Sequence, residues 1–436
     1  MTRSSRAAGL SLTLALLALP LIAQPGLVGP TLRANVNEAH SSKRPATAYL
    51  TNGSFVVVWE NDQLGVFARR FAADGSALGG DVTVAGNARL PSIPGAGPVT
   101  YNAEPAVAAL AGGGFLAVWA EERSFLRAVP FHEEREVLSR SIVGQRYDAA
   151  GNAVGNRINV STSSQAFHAF PAIATHPSRG LAVAWQSDDR QDGVSLRDGV
   201  FLRRLTAAGA PTGAPERVNE ANGATASRPA LAFNRSGRLL VAWDGEDGSG
   251  AGVVARLYRP GGAAATGETL INQTTASVQR RPAVAAAGNA FQVAWQGRAG
   301  DTVYDAKIFG RQVSAAGVPR GSERALSSGE QGGNGQVAPA LAVRGGGYLV
   351  TWVDYDVNFP IGVFARELDA NGVPSSAEVE VSQGPVGAQV KTAVAGDGAG
   401  TFVVAFEGFV GDELGAMAQR LVTGAPAAEA GVLVAD

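Results

Sequence analysis

Carboxylates gather in the stretches that follow a repeated aromatic residue: Glu121 and Glu122; Asp188, Asp189 and Asp192; Asp244, Glu246 and Asp247; Asp301 and Asp305; Asp354 and Asp356; Asp412 and Glu413. Two chemistries are open to such groups. Hard cations such as Ca²⁺ take six to eight oxygens from clusters of this kind. WVDYDVN (352–358) sets Asp354, Asp356 and Asn358 at alternate positions, and SDDRQDG (187–193) sets Asp188, Asp189 and Asp192 before Gly193. Calcium is the cofactor these stretches would hold, with Asp354, Asp356, Asn358, Asp188 and Asp192 as ligands. Neither stretch completes the known loop with its glycine and distal glutamate. A pair of carboxylates can instead carry out glycosidic acid–base work, at a separation that sequence does not reveal. The plain alternative is that loop tips are polar and solvated.

The longest of these stretches, AEERSFLRAVPFHEEREVLSRS (120–141), combines charge with Phe125, Leu126, Val129 and Phe131. An apolar cluster rimmed by charge can be a partner site. An extra hairpin or a short helix folded against the rim is the structural alternative. Glu121, Glu122, Phe125, Phe131, Asp188, Asp189, Asp192 and Asp247 are therefore the candidate ligand-binding residues. No catalytic residue is assigned. Four His, none in HExxH spacing, leave little room for an imidazole metal site. There is no G-x-S-x-G elbow, no Walker loop, and no S-x-D-x-G-x-T-W box of propeller sialidases.

The elements that would position these residues are repeats. GSFVVVW, GGFLAVW, RGLAVAW, GRLLVAW, NAFQVAW, GGYLVTW and GTFVVAF end at Trp59, Trp119, Trp185, Trp243, Trp295, Trp352 and Phe406. A Pro stands thirteen or fourteen residues before each Trp (Pro45, Pro105, Pro171, Pro229, Pro282, Pro339), with Thr392 in that place in the last copy. Each unit reads as four short strands: one after the Pro, the quoted one, one like GVFARRF (65–71), and a short one like RINVS (157–161). A Gly turn joins the third to the fourth, where positive φ is needed. The third strand is apolar or small on both faces, so it must lie in a sheet covered on both sides. A unit that cannot bury its own faces buries them against the next copy.

A four-stranded unit repeated seven times predicts an all-β fold, a single seven-bladed β-propeller of four-stranded blades. The expected organisation is a signal peptide at 1–23, an N-terminal segment at 24–40 able to act as a closure strand, and the propeller at 41–436. Its blades fall near 41–86, 101–163, 167–223, 225–276, 278–330, 335–383 and 386–436. ANVNEA (34–39) and GVLVAD (431–436) compete for the outer strand of the last blade. The seven aromatics should be structural, filling the gaps between blades. Arg69, Gln145, Arg203, Arg256, Arg311, Arg366 and Gln419 recur in the third strand, and a residue kept in every blade is expected to bond backbone between sheets.

Composition narrows the function classes. Lys+Arg 36 against Asp+Glu 38 gives no footprint for nucleic acid or an acidic membrane. With no Cys there are no disulfides, thiolate sites or Cys nucleophile. Arg3 and Arg6, the apolar run Leu10 to Leu19, and Leu21-Ile22-Ala23 form a secretory signal pattern, with Pro20 interrupting a run too short for a span. The expected location is periplasmic, extracellular or cell-surface, and the chain a monomer with no span after cleavage.

The units resemble tandem repeats of secreted and surface-exposed bacterial proteins, some very large and calcium-associated. GSFVVVW (53–59), GVFARRFAADG (65–75) and GQRYDAAGNAVGN (144–156) carry that resemblance over residues 41–436. It implies the repeat type and surface exposure but little about activity. The function expected is a non-enzymatic binding or scaffold module whose variable loops hold a glycan, an envelope component or a protein partner. A propeller carbohydrate enzyme with rim carboxylates is the alternative, and requires carboxylates converging at the axial mouth. A structural, calcium-binding surface repeat is a third reading.

Overall fold

The structure is a computed structural model. It describes residues 24–36, 40–89, 96–129, 132–162, 166–188, 198–220, 225–298, 306–328, 335–355, 360–383, 391–410 and 413–425. Three of its five hydrogen-bonded sheets are four-stranded units. Each of the other two is a pair of such units, joined by a single parallel bridge: Phe167 with Arg140, and Ala306 with Gly335. The unit around Trp185 shows the pattern, with Phe167–His176, Gly180–Asp188, Asp198–Leu205 and Glu216–Arg217 paired antiparallel in that order.

The first strands of the units are Ser42–Tyr49, Ala96–Ala109, Phe167–His176, Ser227–Phe233, Gln279–Ala287, Gly335–Arg344 and Ala393–Gly396. Each lies against the first strand of the next unit, and the last lies against Ser42–Tyr49. They close a ring. The fold is a β-propeller, with these strands around its axis.

Burial follows from the repeat. All seven positions of Phe55–Asn61 are buried, because this strand has a blade on either side. Each core cluster spans two blades: Trp185 packs on Leu116, Val118, Ile142 and Val160 of the preceding one, and Trp243 on Val200, Leu202 and Val218. The indoles also stack on third-strand Phe rings, Trp185 on Phe201 at 6.2 Å and Trp352 on Phe364 at 6.3 Å. Three indole N–H groups donate to the residue three before the Pro: Trp119 to Asn102 (2.8 Å), Trp185 to His168 Nδ1 (3.2 Å) and Trp295 to Gln279 (3.0 Å). Burial lowers the His168 pKa to about 4, so the ring is neutral and can accept.

The recurrent third-strand Arg is a staple between blades. Arg311 Nε donates to Gly321 O of its own turn at 2.9 Å, and Nη1 to Ile271 O of the preceding blade at 2.9 Å. Arg203, Arg256 and Arg366 repeat both bonds, and Gln145 and Gln419 reach the turn carbonyls alone. Arg311→Leu strands both carbonyls, and is expected to cost about 2–3 kcal/mol in denaturant unfolding. A loss below half a kcal/mol would show the staple to be idle.

The polar residue of the fourth strand also has a fixed task. Asn219, Asn272, Ser161, Ser327 and Ser382 each accept a third-strand N–H, at 2.8 to 3.1 Å. Asn35 does the same for Ala416 N–H at 3.1 Å, so the N-terminal segment supplies the outer strand of the last blade. Gln24–Arg33 pairs antiparallel with Glu413–Ala425, with Leu32 opposite Ala418. The rival stretch GVLVAD lies outside the described residues.

Candidate active site at the axial mouth

Six first strands carry a bulge just before the Pro, where one non-Gly residue takes positive φ: Arg44 (48°), Glu104 (55°), Phe170 (51°), Arg228 (47°), Arg281 (53°) and Ala338 (51°). A bulge re-aims a side chain, and its recurrence in six blades makes it part of the blade plan that brings these residues to one level. Lys391 holds the same place in the last blade, before Thr392.

Four bulge N–H groups are met by the residue that follows the repeated aromatic on the neighbouring blade. Arg44 N–H donates to Glu407 Oε1 (2.7 Å), Glu104 N–H to Glu60 Oε2 (2.9 Å), Arg281 N–H to Asp244 Oδ1 (2.6 Å) and Ala338 N–H to Gln296 Oε1 (3.4 Å). Ala120 has no carboxyl to offer, and Glu104 itself reaches Phe170 N–H at 2.7 Å. Four carboxylates from blades far apart in sequence are thereby drawn to one end of the ring.

They are not equivalent. Glu60 has both oxygens engaged by Arg44 Nη1, at 3.2 and 3.0 Å, and Glu104 is held by Arg140 at 3.2 Å. Glu407 Oε2 and Asp244 Oδ2 are buried with no hydrogen bond among the described residues; the nearest cation to Asp244 Oδ2 is Arg228 at 3.6 Å. One oxygen of each is fixed by a backbone N–H and the other is buried without a partner among the described residues. Burial, outweighing that hydrogen bond and the nearby Arg44, raises Glu407 to about 7. Burial likewise raises Asp244 to about 6, against the Arg281 N–H and Arg228. Burial depresses Lys391, against Glu104, Glu60 and Glu407.

The residues singled out by sequence lie elsewhere. Glu121 lines a cleft of about 710 Å³ between the second and third blades, with Arg157 at 2.5 Å and Arg123 at 3.5 Å. Glu122 points to the opposite face and pairs with Arg135, which covers Tyr101 at 3.9 Å. The stretch 120–141 is a continuation of two strands, Phe115–Val129 and His132–Tyr147, joined by the long first strand Ala96–Ala109 into a three-stranded arm. Phe125 is half-buried on it, opposite Pro98 and Glu136. Asp188 ends its strand opposite Asp198. Asp247 holds a turn, accepting from Ser249 N–H and Asn272 Nδ2 at 3.0 Å each. Asp354 is buried beside Gln336, away from the surface, and burial raises it to about 6. Phe131, Asp189, Asp192, Asp356 and Asn358 lie outside the described residues. Among the described residues no group of three metal-binding side chains forms. Trp59, Trp119, Trp185, Trp243, Trp295, Trp352 and Phe406 are all buried between blades.

Glu60, Glu104 and Glu407 were not among the sequence candidates, and Asp244 was seen only as a loop acid. A signal for Glu60, Glu407 and Asp244 was present: the residue after the repeated aromatic is Glu, Gln or Asp in five of seven copies, in an otherwise apolar strand.

No family model matches the sequence, and no curated protein matches it. Solved structures do match in shape. A protein of unknown function from Dyadobacter fermentans is similar with a TM-score of 0.50 at 12% identity, over 93% of this chain and 100% of that one. Penicillium chrysogenum α-L-arabinanase, complexed with arabinobiose, matches with a TM-score of 0.45 at 9% identity, over 90% and 99%. Lactobacillus brevis α-L-arabinofuranosidase matches with a TM-score of 0.38 at 13% identity, over 66% and 97%. Identity this low speaks to fold alone. The expectation of a non-enzymatic module holding its ligand on the post-Trp loops is corrected here. What overturns it is the geometry: acids gather not on those loops but at the bulge level, Glu407 on Arg44 N–H, Glu60 on Glu104 N–H and Asp244 on Arg281 N–H, as the enzyme alternative requires.

Proposed function

We propose that the protein is a carbohydrate-active enzyme that cleaves glycosidic bonds at the axial mouth, with Glu407 and Asp244 as its acid–base pair. The observation that carries this reading is the buried, unpartnered oxygen on each of these two carboxylates, whose other oxygen a bulge N–H holds in place. Glu407, protonated near neutrality, gives its proton to the glycosidic oxygen as the bond to the anomeric carbon breaks. Asp244, ionised there, takes a proton from the water that attacks that carbon. Glu60 and Glu104, with their oxygens occupied, hold Arg44, Arg140 and the bulges in position.

A secretory leader at 1–23 would deliver this activity to the periplasm or cell exterior, where polysaccharides are met. The likeness to repeats of surface-exposed bacterial proteins supports the same location. Among the described residues no helix is long and apolar enough to cross a membrane. The test is to incubate the full chain with a panel of neutral and acidic polysaccharides and to follow new reducing ends by mass. Oligosaccharide products, lost in Asp244→Asn, support the reading. Intact polymers throughout the panel sink it.

A further inference from the structure

The mouth holds more cation than its carboxylates use. Arg44 pairs with Glu60 at 3.0 Å, Arg140 with Glu104 at 3.2 Å, and Arg228 with Asp244 at 3.6 Å. Glu407, raised to about 7, is only partly ionised near pH 7. Arg281 and Lys391 remain. Both are partly buried, and neither ammonium nor guanidinium has an ion pair or a side-chain hydrogen bond among the described residues. Arg280, exposed beside Arg281, adds to the same field around Asp244. Desolvation works against the charge on both Arg281 and Lys391. Only the longer-range fields of Glu104, Glu60 and Glu407 act on Lys391 and that of Asp244 on Arg281, with no direct ion pair, so an entering anion would give each cation a direct partner.

The bulge level shows where that anion fits. In ring order it reads Arg44, Glu104, Phe170, Arg228, Arg281, Ala338, Lys391. Arg281 and Lys391 flank Ala338, the one small side chain of the seven. Lys391 thus lies in the field of the proposed acid Glu407, Arg281 in that of the proposed base Asp244, and the phenol of Tyr355, on the Ala338 blade, in the fields of Arg281 and Glu407.

We propose that the mouth selects an acidic glycan, with a uronate carboxylate held by Arg281 and Lys391 on either side of the small Ala338. This rests on the reading of the mouth as a glycan site. A carboxylate there would face two cations it can pair with in a partly desolvated place, where such pairs are stronger than in water. A neutral sugar would leave both cations unanswered.

The test compares polygalacturonate with its fully methyl-esterified form, which keeps the sugar backbone and removes the charge. Retention of the full chain in affinity electrophoresis is measured for each, alongside product release. The free acid is expected to bind at least about tenfold more tightly, an advantage that shrinks with added NaCl. Arg281→Gln and Lys391→Met should each erase most of it. Ala338→Glu is the sharper variant, because Glu104 holds the same bulge place with the same backbone conformation in its own blade. It should abolish the preference while its melting temperature stays near that of the parent. Equal retention of both polymers, no retention of either, or a preference untouched by all three variants would overturn the proposal. Charge-selective retention without products from any glycan would leave this site standing and overturn the cleavage reading. Products from neutral glycans alone would do the reverse.

Discussion

Glu407→Gln is expected to slow glycan cleavage by about 10²–10⁴-fold, the range that a positioned proton donor supplies. The amide preserves the shape and can still accept the Arg44 N–H that sets the side chain, so substrate retention should change little. What is lost is the proton. The same substitution has a second, opposite signature in stability. Glu407 is raised from its usual value to about 7, chiefly by burial. A carboxyl of raised pKa stabilises the fold fully below the unfolded value and loses that contribution as pH rises through 7. The difference is on the order of 3 kcal/mol across that window. Asp244, raised to about 6, acts in the same direction. Unfolding midpoints should therefore fall between pH 5 and pH 8 in the parent, and fall less in Glu407→Gln. An activity within threefold of the parent would remove Glu407 from the chemistry. An unchanged pH slope would mean that its carboxyl is solvated.

Trp185→Ala is expected to cost about 3–5 kcal/mol. The indole is 1% exposed, packs on four aliphatic side chains of the preceding blade and bonds His168. Its removal opens a cavity between blades and orphans an imidazole acceptor at once. The repeat allows an internal control. Trp352 has the same burial but a buried Nε1 with no partner among the described residues. Trp352→Phe should then cost less than Trp295→Phe, whose indole N–H loses Gln279. Urea midpoints of the three variants decide the matter. A loss under 1 kcal/mol for Trp185→Ala would sink the inter-blade packing account.

The blade was legible because it is local. Aromatic, Pro, Arg and turn Gly recur within some sixty residues, and each meets a partner in its own or the adjacent blade. The Arg staple followed from the same logic: a group repeated in every blade answers to something every blade has. The mouth was not legible, because it is assembled from single positions on blades separated by up to some 360 residues. Glu407 meets Arg44, and no local spacing announces that pair. The post-Trp acids drew attention to loop tips, whereas Glu60, Asp244 and Glu407 sit one residue after the aromatic, inside the strand, and Glu104 at a first-strand bulge. The stretch 120–141 was read for its charge and its apolar cluster. Its Glu122, Ser124 and Leu126 alternate with Arg123 and Phe125 and pair in register with the return strand, a strand pattern that its length disguised.

The outer strand of the last blade also carries a lesson about time. The hydrogen bonds that Asn35 and Thr31 make, to Ala416 and Gln419, span more than 380 residues. Contacts of that separation are slow to form, since the chain between them must be ordered first. Until Gln24–Arg33 docks, Glu413–Ala425 is an open sheet edge, able to pair with any strand that reaches it, including one from another copy. The part of the ring synthesised first is thus among the last to be satisfied. The rate at which this protein becomes safe from its neighbours is set by one strand finding the far end of its own chain.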